Sequence, residues 1–147
     1  MIRRFGEAPR ADVQYTRRPG VYAILPRDGR LLVTHQSEPY PELQLPGGGI
    51  DPGEGPIQAL HREVFEETGW KIGAVRRVGT FRRFTYMPEY DLWAEKLCMI
   101  YLARPVRPLG PPSESGHQAV WTDPDIAARE LCNAGDRHFV SRLWGLA

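Results

Sequence analysis

The chain has 147 residues, of which 41% are hydrophobic and 25% are charged, the proportions of an ordinary globular protein. We expect residues 1–147 to form a single domain, because this length suffices to bury one hydrophobic core. The 19 basic and 18 acidic side chains leave a net charge of +1, so no global field favours nucleic acid or a membrane as a partner. The first residues contain no apolar run typical of a signal peptide, which predicts a cytoplasmic protein.

Two short β-rich runs come first, over 20–26 and 30–36. They flank Asp28 and Gly29, a pair that strongly favours a tight hairpin turn. Further strands are predicted over 71–84, 95–103 and 119–121. A Pro/Gly/Ser-rich stretch over 104–117 predicts a mobile loop.

A helix is predicted between the two groups of strands. It follows the glycine-rich segment 46–49, begins at Gly55 and Pro56, and ends at Gly69, because proline suits the first turn of a helix and glycine its end. Residues 57, 60 and 64 predict its buried face. The carboxylates of Glu63, Glu66 and Glu67 share another face, and such a cluster of oxygen ligands suits Mg²⁺ or Mn²⁺.

Two more helices are predicted at the C-terminal end, over 124–131 and 136–143. Strands on both sides of a central helix, followed by terminal helices, predict an α/β protein with a mixed sheet between helical layers. Cys98 and Cys132 lack the spacing of metal ligands, so we expect reduced thiols.

The spacing of seven residues within 48–70 resembles a complete Nudix box. These are Gly48, Glu54, Arg62, Glu63, Glu66, Glu67 and Gly69, with bulky apolar residues at Val64 and Trp70. The resemblance to the Nudix hydrolase family implies an α/β/α sandwich. It also implies hydrolysis of a pyrophosphate bond in a nucleoside diphosphate linked to another group, such as a nucleoside triphosphate or a dinucleoside polyphosphate.

The same resemblance implies roles for individual residues. Glu63, Glu66, Glu67 and the carbonyl of Gly47 would bind Mg²⁺ or Mn²⁺. Arg62 would orient a metal-binding carboxylate through a charged hydrogen bond. Glu54 would support the ligands without binding the metal itself. Either Glu66 or Glu67, or a residue of a downstream loop, would accept the proton of the attacking water.

The candidate site residues outside the box each have two interpretations. Arg82, Arg83 and Tyr86 belong to a segment that interleaves arginines with aromatics, which predicts either substrate binding or a strand pair with a solvated basic face. For Glu114 and His117, one interpretation is a catalytic base or an extra metal ligand. The other is a solvated residue of a loop. Family resemblance also makes a homodimer possible.

Two classes of function fit the sequence. One is a metal-dependent pyrophosphohydrolase acting on a small nucleotide. The other is a regulatory module that binds a nucleotide without turnover, although such modules usually lack box glutamates and this chain has all three.

Overall fold

The computed structural model describes residues 2–38, 40–114 and 116–146. The strands are β1 (Arg3–Arg4), β2 (Thr16–Ile24), β3 (Pro26–Arg27), β4 (Arg30–Gln36), β5 (Glu42–Gln44), β6 (Gly47–Gly49), β7 (Trp70–Met87), β8 (Leu92–Pro108) and β9 (His117–Thr122). The helices are α1 (Pro56–Thr68), α2 (Pro124–Glu130) and α3 (Ala134–Leu143), with a short 3₁₀ helix over Pro88–Tyr90.

The strands form two sheets. The larger has the order β1-β7-β8-β2-β6 and is mixed, because β1 runs parallel to β7 and β2 parallel to β8, while β7 is antiparallel to β8 and β6 is antiparallel to β2. In the smaller sheet β4 pairs antiparallel with β3, β5 and β9. The turn into β4 has positive φ at both Asp28 (52°) and Gly29 (77°), as a tight hairpin turn requires, so the predicted hairpin is confirmed.

Helices cover both sides of the sheets. Alternate residues of β2 and β4 point in opposite directions, so Val21 and Leu32 pack with α1 while Ile24 and Val33 pack with α2 and α3. The predicted α/β class with a mixed sheet between helical layers is therefore confirmed.

Helix α1 begins and ends where the glycine and proline signals predict. Gly69 closes it with a φ of 77°, and its amide donates to the carbonyl of Phe65, as a C-terminal glycine does. The predicted buried face needs one correction. Ile57 is 44% exposed, whereas Ala59, Leu60 and Val64 are fully buried, so packing against the sheet starts after the first turn.

Several predicted boundaries differ from the structure by a few residues, and two of them have a clear physical cause. Strand β8 continues to Pro108 because β7 pairs with it as far as Trp70, so the irregular segment starts at Leu109 rather than at residue 104. Helix α3 starts at Ala134 because the side chain of Asn133 accepts a hydrogen bond from the amide of Asp136 and caps the helix. Of the described residues, none belongs to a helix long and apolar enough to cross a membrane; the cytoplasmic location stays a prediction.

Candidate active site

The glycines of β6 lie so close to their neighbours that two of them leave no room for a side chain. A Cβ atom on Gly47 would be 2.0 Å from the carbonyl oxygen of Val21, and one on Gly48 would be 2.6 Å from the carboxylate of Glu63. At Gly49 a Cβ would meet nothing within 4 Å. The sequence needs glycine at 47 and 48 because β6 is pressed between β2 and the acidic face of α1.

Glu67 is the most deeply buried carboxylate of α1. Its side chain is 7% exposed, and its Oε1 accepts a hydrogen bond of 2.9 Å from the amide of Gly47. Burial, followed by the charges of Glu114, Glu63 and Glu66, raises the pKa of Glu67 to about 8 despite that hydrogen bond. Burial is also the main cause that raises the pKa of Glu63. A bound cation would offset the free-energy cost of ionising Glu63 and Glu67, because it supplies the opposite charge.

Arg62 holds the acidic face in place. Its guanidinium donates to Glu54 twice, at 2.7 and 2.9 Å, and to Glu63 at 3.0 Å. It also donates to Glu66 at 3.3 Å and to the carbonyl of Gly49 at 3.0 Å. The Arg62 hydrogen bond is the main cause that lowers the pKa of Glu54 to about 2. One side chain thus fixes two of the three carboxylates of this face of α1 and ties them to β6.

The segment between β8 and β9 returns to α1. The amides of Ser113 and Glu114 donate to the carbonyl of Glu66 at 2.9 and 3.0 Å. This contact anchors the stretch predicted to be a mobile loop. It places His117 Nδ1 3.7 Å from Glu67 Oε2, and His117 Nε2 4.0 Å from Glu114 Oε1.

Among the described residues, two sets of possible metal ligands result, and they share Glu114. One consists of Glu63, Glu66 and Glu114, and the other of Glu67, Glu114 and His117, with the ligand atoms of each set within 4.8 Å of one another. Carboxylate oxygens suit Mg²⁺ and Mn²⁺, and an imidazole nitrogen is compatible with Mn²⁺ and softer cations. The side chains present therefore fit a divalent cation.

A cavity of about 260 Å³ is lined by Gly47, Gly48 and Gly49 of β6. Its other walls come from β2, β5, β7, β8, the 3₁₀ helix and the start of α3. The cavity is large enough to admit part of a small ligand, and it adjoins the acidic face of α1 because Gly47 and Gly48 also contact Glu67 and Glu63.

The three predicted substrate-binding residues lie in different places. Arg83 lines the cavity. Arg82 instead donates to Glu95 at 3.4 Å, and Tyr86 packs on Trp93 with ring centroids 5.2 Å apart. Neither Arg82 nor Tyr86 belongs to the cavity lining, because successive residues of β7 point to opposite faces.

Polar residues that we did not single out from the sequence also line the cavity. Among them are Lys96, Asn133 and Asp136. Asn133 and Asp136 have the spacing of an N-terminal helix cap and its partner three residues later, a signal that could have located the start of α3. Nothing in the sequence indicates that this helix end faces the cavity.

The fold and the site together define a protein with a glycine strand packed on a glutamate-rich helix, beside a cavity that admits part of a small ligand. The model of the NUDIX domain family matches residues 15–143. The chain therefore belongs to the Nudix hydrolase family, and the resemblance of residues 48–70 to a Nudix box is confirmed.

Comparison with solved structures supports the same fold. A MutT NUDIX hydrolase from Burkholderia pseudomallei has a TM-score of 0.71 at 21% identity, over 87% of this chain and 98% of that one. A NUDIX hydrolase from Nitrosomonas europaea has a TM-score of 0.68 at 20% identity, over 88% and 90% of the two chains.

Curated relatives match over shorter segments. An RNA pyrophosphohydrolase of Aeromonas hydrophila is 40% identical over 68 residues, which is 46% of this chain and 38% of that protein. One of Pectobacterium atrosepticum is 49% identical over 41 residues, or 28% and 23%. The matched part of this chain spans at most half the length of such relatives.

Replacing Gly48 with alanine is expected to lower kcat by about tenfold to a hundredfold, because the added Cβ would displace the Glu63 carboxylate and small misplacements at a reacting centre are costly. Gly49→Ala is the matched control, since a Cβ there has open space. Steady-state kinetics of the two variants would test this. Equal rates for both would show that the position of Glu63 does not matter.

Proposed function

We propose that this protein hydrolyses the pyrophosphate bond of a nucleoside diphosphate derivative with the help of Mg²⁺ or Mn²⁺. The observation that carries the proposal is the carboxylate cluster of α1, pressed against Gly48, whose strand lines the neighbouring cavity. In this proposal residues 1–147 act as one catalytic domain.

Glu63, Glu66 and Glu67 would hold the cation, with the Gly47 carbonyl as a further ligand and Glu114 or His117 completing the set. A bound divalent cation lowers the pKa of water and neutralises charge on the leaving phosphate. Arg62 keeps Glu63 and Glu66 oriented, and Glu54 in turn holds Arg62.

The attacking water must give up its proton to a carboxylate. Glu67 lies deep and is held by the Gly47 amide, whereas the Glu114 side chain is 45% exposed and stands on the anchored loop. We propose that Glu67 or Glu114 accepts this proton. Because both side chains are also among the proposed metal ligands, kcat of Glu67→Gln and Glu114→Gln is compared at saturating Mn²⁺, and the base is the residue whose substitution still lowers kcat.

The cavity would take the nucleoside, while the phosphates lie over α1. Arg83 is the residue of β7 whose cationic side chain lines this cavity, so it would bind the nucleotide there. We expect Arg83→Ala to raise KM several-fold with little change in kcat, as groups remote from the cleaved bond do. Arg82→Ala, whose side chain bonds Glu95 on β8, is the neighbouring control and should leave KM unchanged. Equal KM effects for the two variants would contradict this placement.

A nucleotide panel with identification of the products tests the proposed function. It should contain nucleoside triphosphates, oxidised nucleoside triphosphates, dinucleoside polyphosphates and nucleotide sugars. It should also contain an RNA with a triphosphate end, because curated relatives are named RNA pyrophosphohydrolase. Release of a nucleoside monophosphate or of pyrophosphate with Mg²⁺ supports the proposal. Tight binding of a nucleotide with no product would favour the regulatory module instead.

A further inference from the structure

Two tryptophans form a ring pair beside the end of α1. Trp70 is the first residue of β7 and Trp121 lies near the end of β9. Their ring centroids are 5.5 Å apart and the ring planes make an angle of 82°. Both are only partly buried, because they pack against the core on the side of α1 and also line an open cavity of about 490 Å³. This cavity and the one beside β6 have none of their described lining residues in common.

Two arginines line the same cavity as the tryptophans. The Cζ atom of Arg27 is 5.2 Å from the centre of the Trp70 ring. Its Nη1 donates to the carbonyls of Pro105 and Val106 at 3.3 and 3.1 Å. These bonds fix the guanidinium over the ring and engage only one of its nitrogens, so Nε and Nη2 remain as donors. The side chain of Arg30 is 64% exposed.

The nearby carboxylates neutralise these arginines poorly. Asp28 lies 3.9 Å from the Nε of Arg27, and Asp123 lies 3.9 Å from the Nε of Arg30. Both carboxylates are exposed, and exposed pairs of this kind contribute little. A second cavity, of about 420 Å³, continues around Arg27 and adds Arg104. Among the described residues, the two cavities present three arginines and one carboxylate, a balance that favours an anionic ligand.

Aromatic rings beside arginines suit a flat ring that carries a phosphate. Nucleobases stack on aromatic side chains while arginines bind the phosphates, which is how proteins hold a single strand without reading its sequence. In a duplex the bases are stacked on one another and are not free to stack on a protein. The chemistry of the cavity therefore favours a single-stranded nucleic acid.

The tryptophans lie near the carboxylate cluster. His117 and Trp121 are four residues apart on β9, so they point to the same face and are separated by about 14 Å along the strand. Trp70 follows Glu67 by three residues, just after the end of α1. A nucleoside that occupies the cavity beside β6 cannot reach the rings as well, whereas a strand of a few nucleotides can extend that far.

We propose that Trp70 and Trp121, together with Arg27 and Arg30, form a second binding site, which holds a downstream nucleotide of a single-stranded RNA. RNA is the strand that carries a 5′ triphosphate, because its synthesis starts from an unprimed nucleoside triphosphate. This assignment rests on the proposed function, which places the terminal phosphates at α1 and the first nucleoside in the cavity beside β6. A base would stack on an open ring, and the neighbouring phosphates would bind the arginines.

Anisotropy of a fluorescent RNA tests the second site without turnover. The probe is a single strand of about ten nucleotides with a 5′ hydroxyl and a 3′ label, measured in EDTA. We expect Trp121→Leu to weaken binding about tenfold and Arg30→Glu several-fold. Arg129→Glu is the matched control, because Arg129 is 65% exposed and lies 3.9 Å from Asp125; it should bind as the wild type does.

The same RNA in a duplex should bind more weakly to the wild type. Equal affinity for single strand and duplex would overturn the stacking role of the tryptophans. Wild-type affinity for the single strand in Arg30→Glu and in a folded Trp121→Leu would overturn the site. The exposed position of Arg30 keeps the test valid if the tryptophan variant fails to fold.

Kinetics separate the second site from the proposed function. Arg30→Glu should lower about tenfold the ratio of kcat/KM for a 5′-triphosphate RNA to kcat/KM for a nucleoside triphosphate. An unchanged ratio would overturn the site. A protein that binds the RNA as expected and hydrolyses nothing in the nucleotide panel would refute the proposed function and retain the second site. A protein that hydrolyses nucleotides but does not bind the RNA would retain the proposed function and refute the second site.

Discussion

Glu67→Gln is expected to lower kcat by about two orders of magnitude or more while the protein stays folded. Glutamine keeps the size of the side chain and can still accept the hydrogen bond that the Gly47 amide donates to Oε1. It is a poor ligand for a hard cation and cannot accept a proton from water. The substitution therefore removes metal binding and proton transfer without removing the contact between α1 and β6.

The same variant should be more stable than the wild type when no metal is present. Because burial raises the pKa of Glu67 to about 8, the folded state loses stability relative to the unfolded state as pH rises from the ordinary pKa of glutamate to about 8, where the loss is complete. The gain in Tm on replacing Glu67 should be largest above about pH 8 and disappear below the ordinary pKa of glutamate. Thermal unfolding followed by circular dichroism measures this. A folded variant with kcat near that of the wild type would contradict the role of Glu67.

Arg62→Lys is expected to lower kcat/KM by about tenfold to a hundredfold, the usual effect of losing a group that orients metal ligands. The guanidinium reaches Glu54, Glu63 and Glu66 at once. A lysine ammonium keeps the charge but is a single point that cannot span these partners. The effect should therefore come from geometry rather than from charge.

Arg129→Lys is the matched control for that substitution. Arg129 is exposed on α2 and lies 3.9 Å from Asp125, an arrangement that contributes little. Kinetics of both variants, together with the affinity for Mn²⁺ measured by calorimetry, would distinguish a loss of ligand geometry at Arg62 from a general effect of replacing arginine with lysine. Wild-type kinetics and wild-type Mn²⁺ affinity in Arg62→Lys would show that Arg62 does not orient the cluster.

The local part of the site was predictable from the sequence because its signals are local. Proline at the start of α1, glycine at its end and three glutamates at helical spacing predict a helix with an acidic face without knowledge of the fold. The structure has that helix over Pro56–Thr68. Gly47 and Gly48 were recognised as part of the glycine-rich segment before the helix, whereas their close packing on Val21 and Glu63 depends on long-range pairing.

The remaining contacts could not be predicted because they join distant parts of the chain through backbone groups. The amides of Ser113 and Glu114 bind the carbonyl of Glu66, and no side-chain pattern encodes such a bond. Separating Arg82 from Arg83 required the register of β7, which is shifted between Arg77 and Gly79. A one-residue shift moves every side chain to the other face.

Metal dependence of product release tests the central claim most directly. The substrate is the best one from the nucleotide panel, assayed with Mg²⁺, with excess EDTA, and with Mg²⁺ or Mn²⁺ restored after EDTA. The carboxylate cluster supplies too few ligands to fill a coordination sphere without water and substrate, so we expect turnover to stop in EDTA and to return with either cation. Full activity in excess EDTA would contradict the hydrolytic mechanism proposed for this protein.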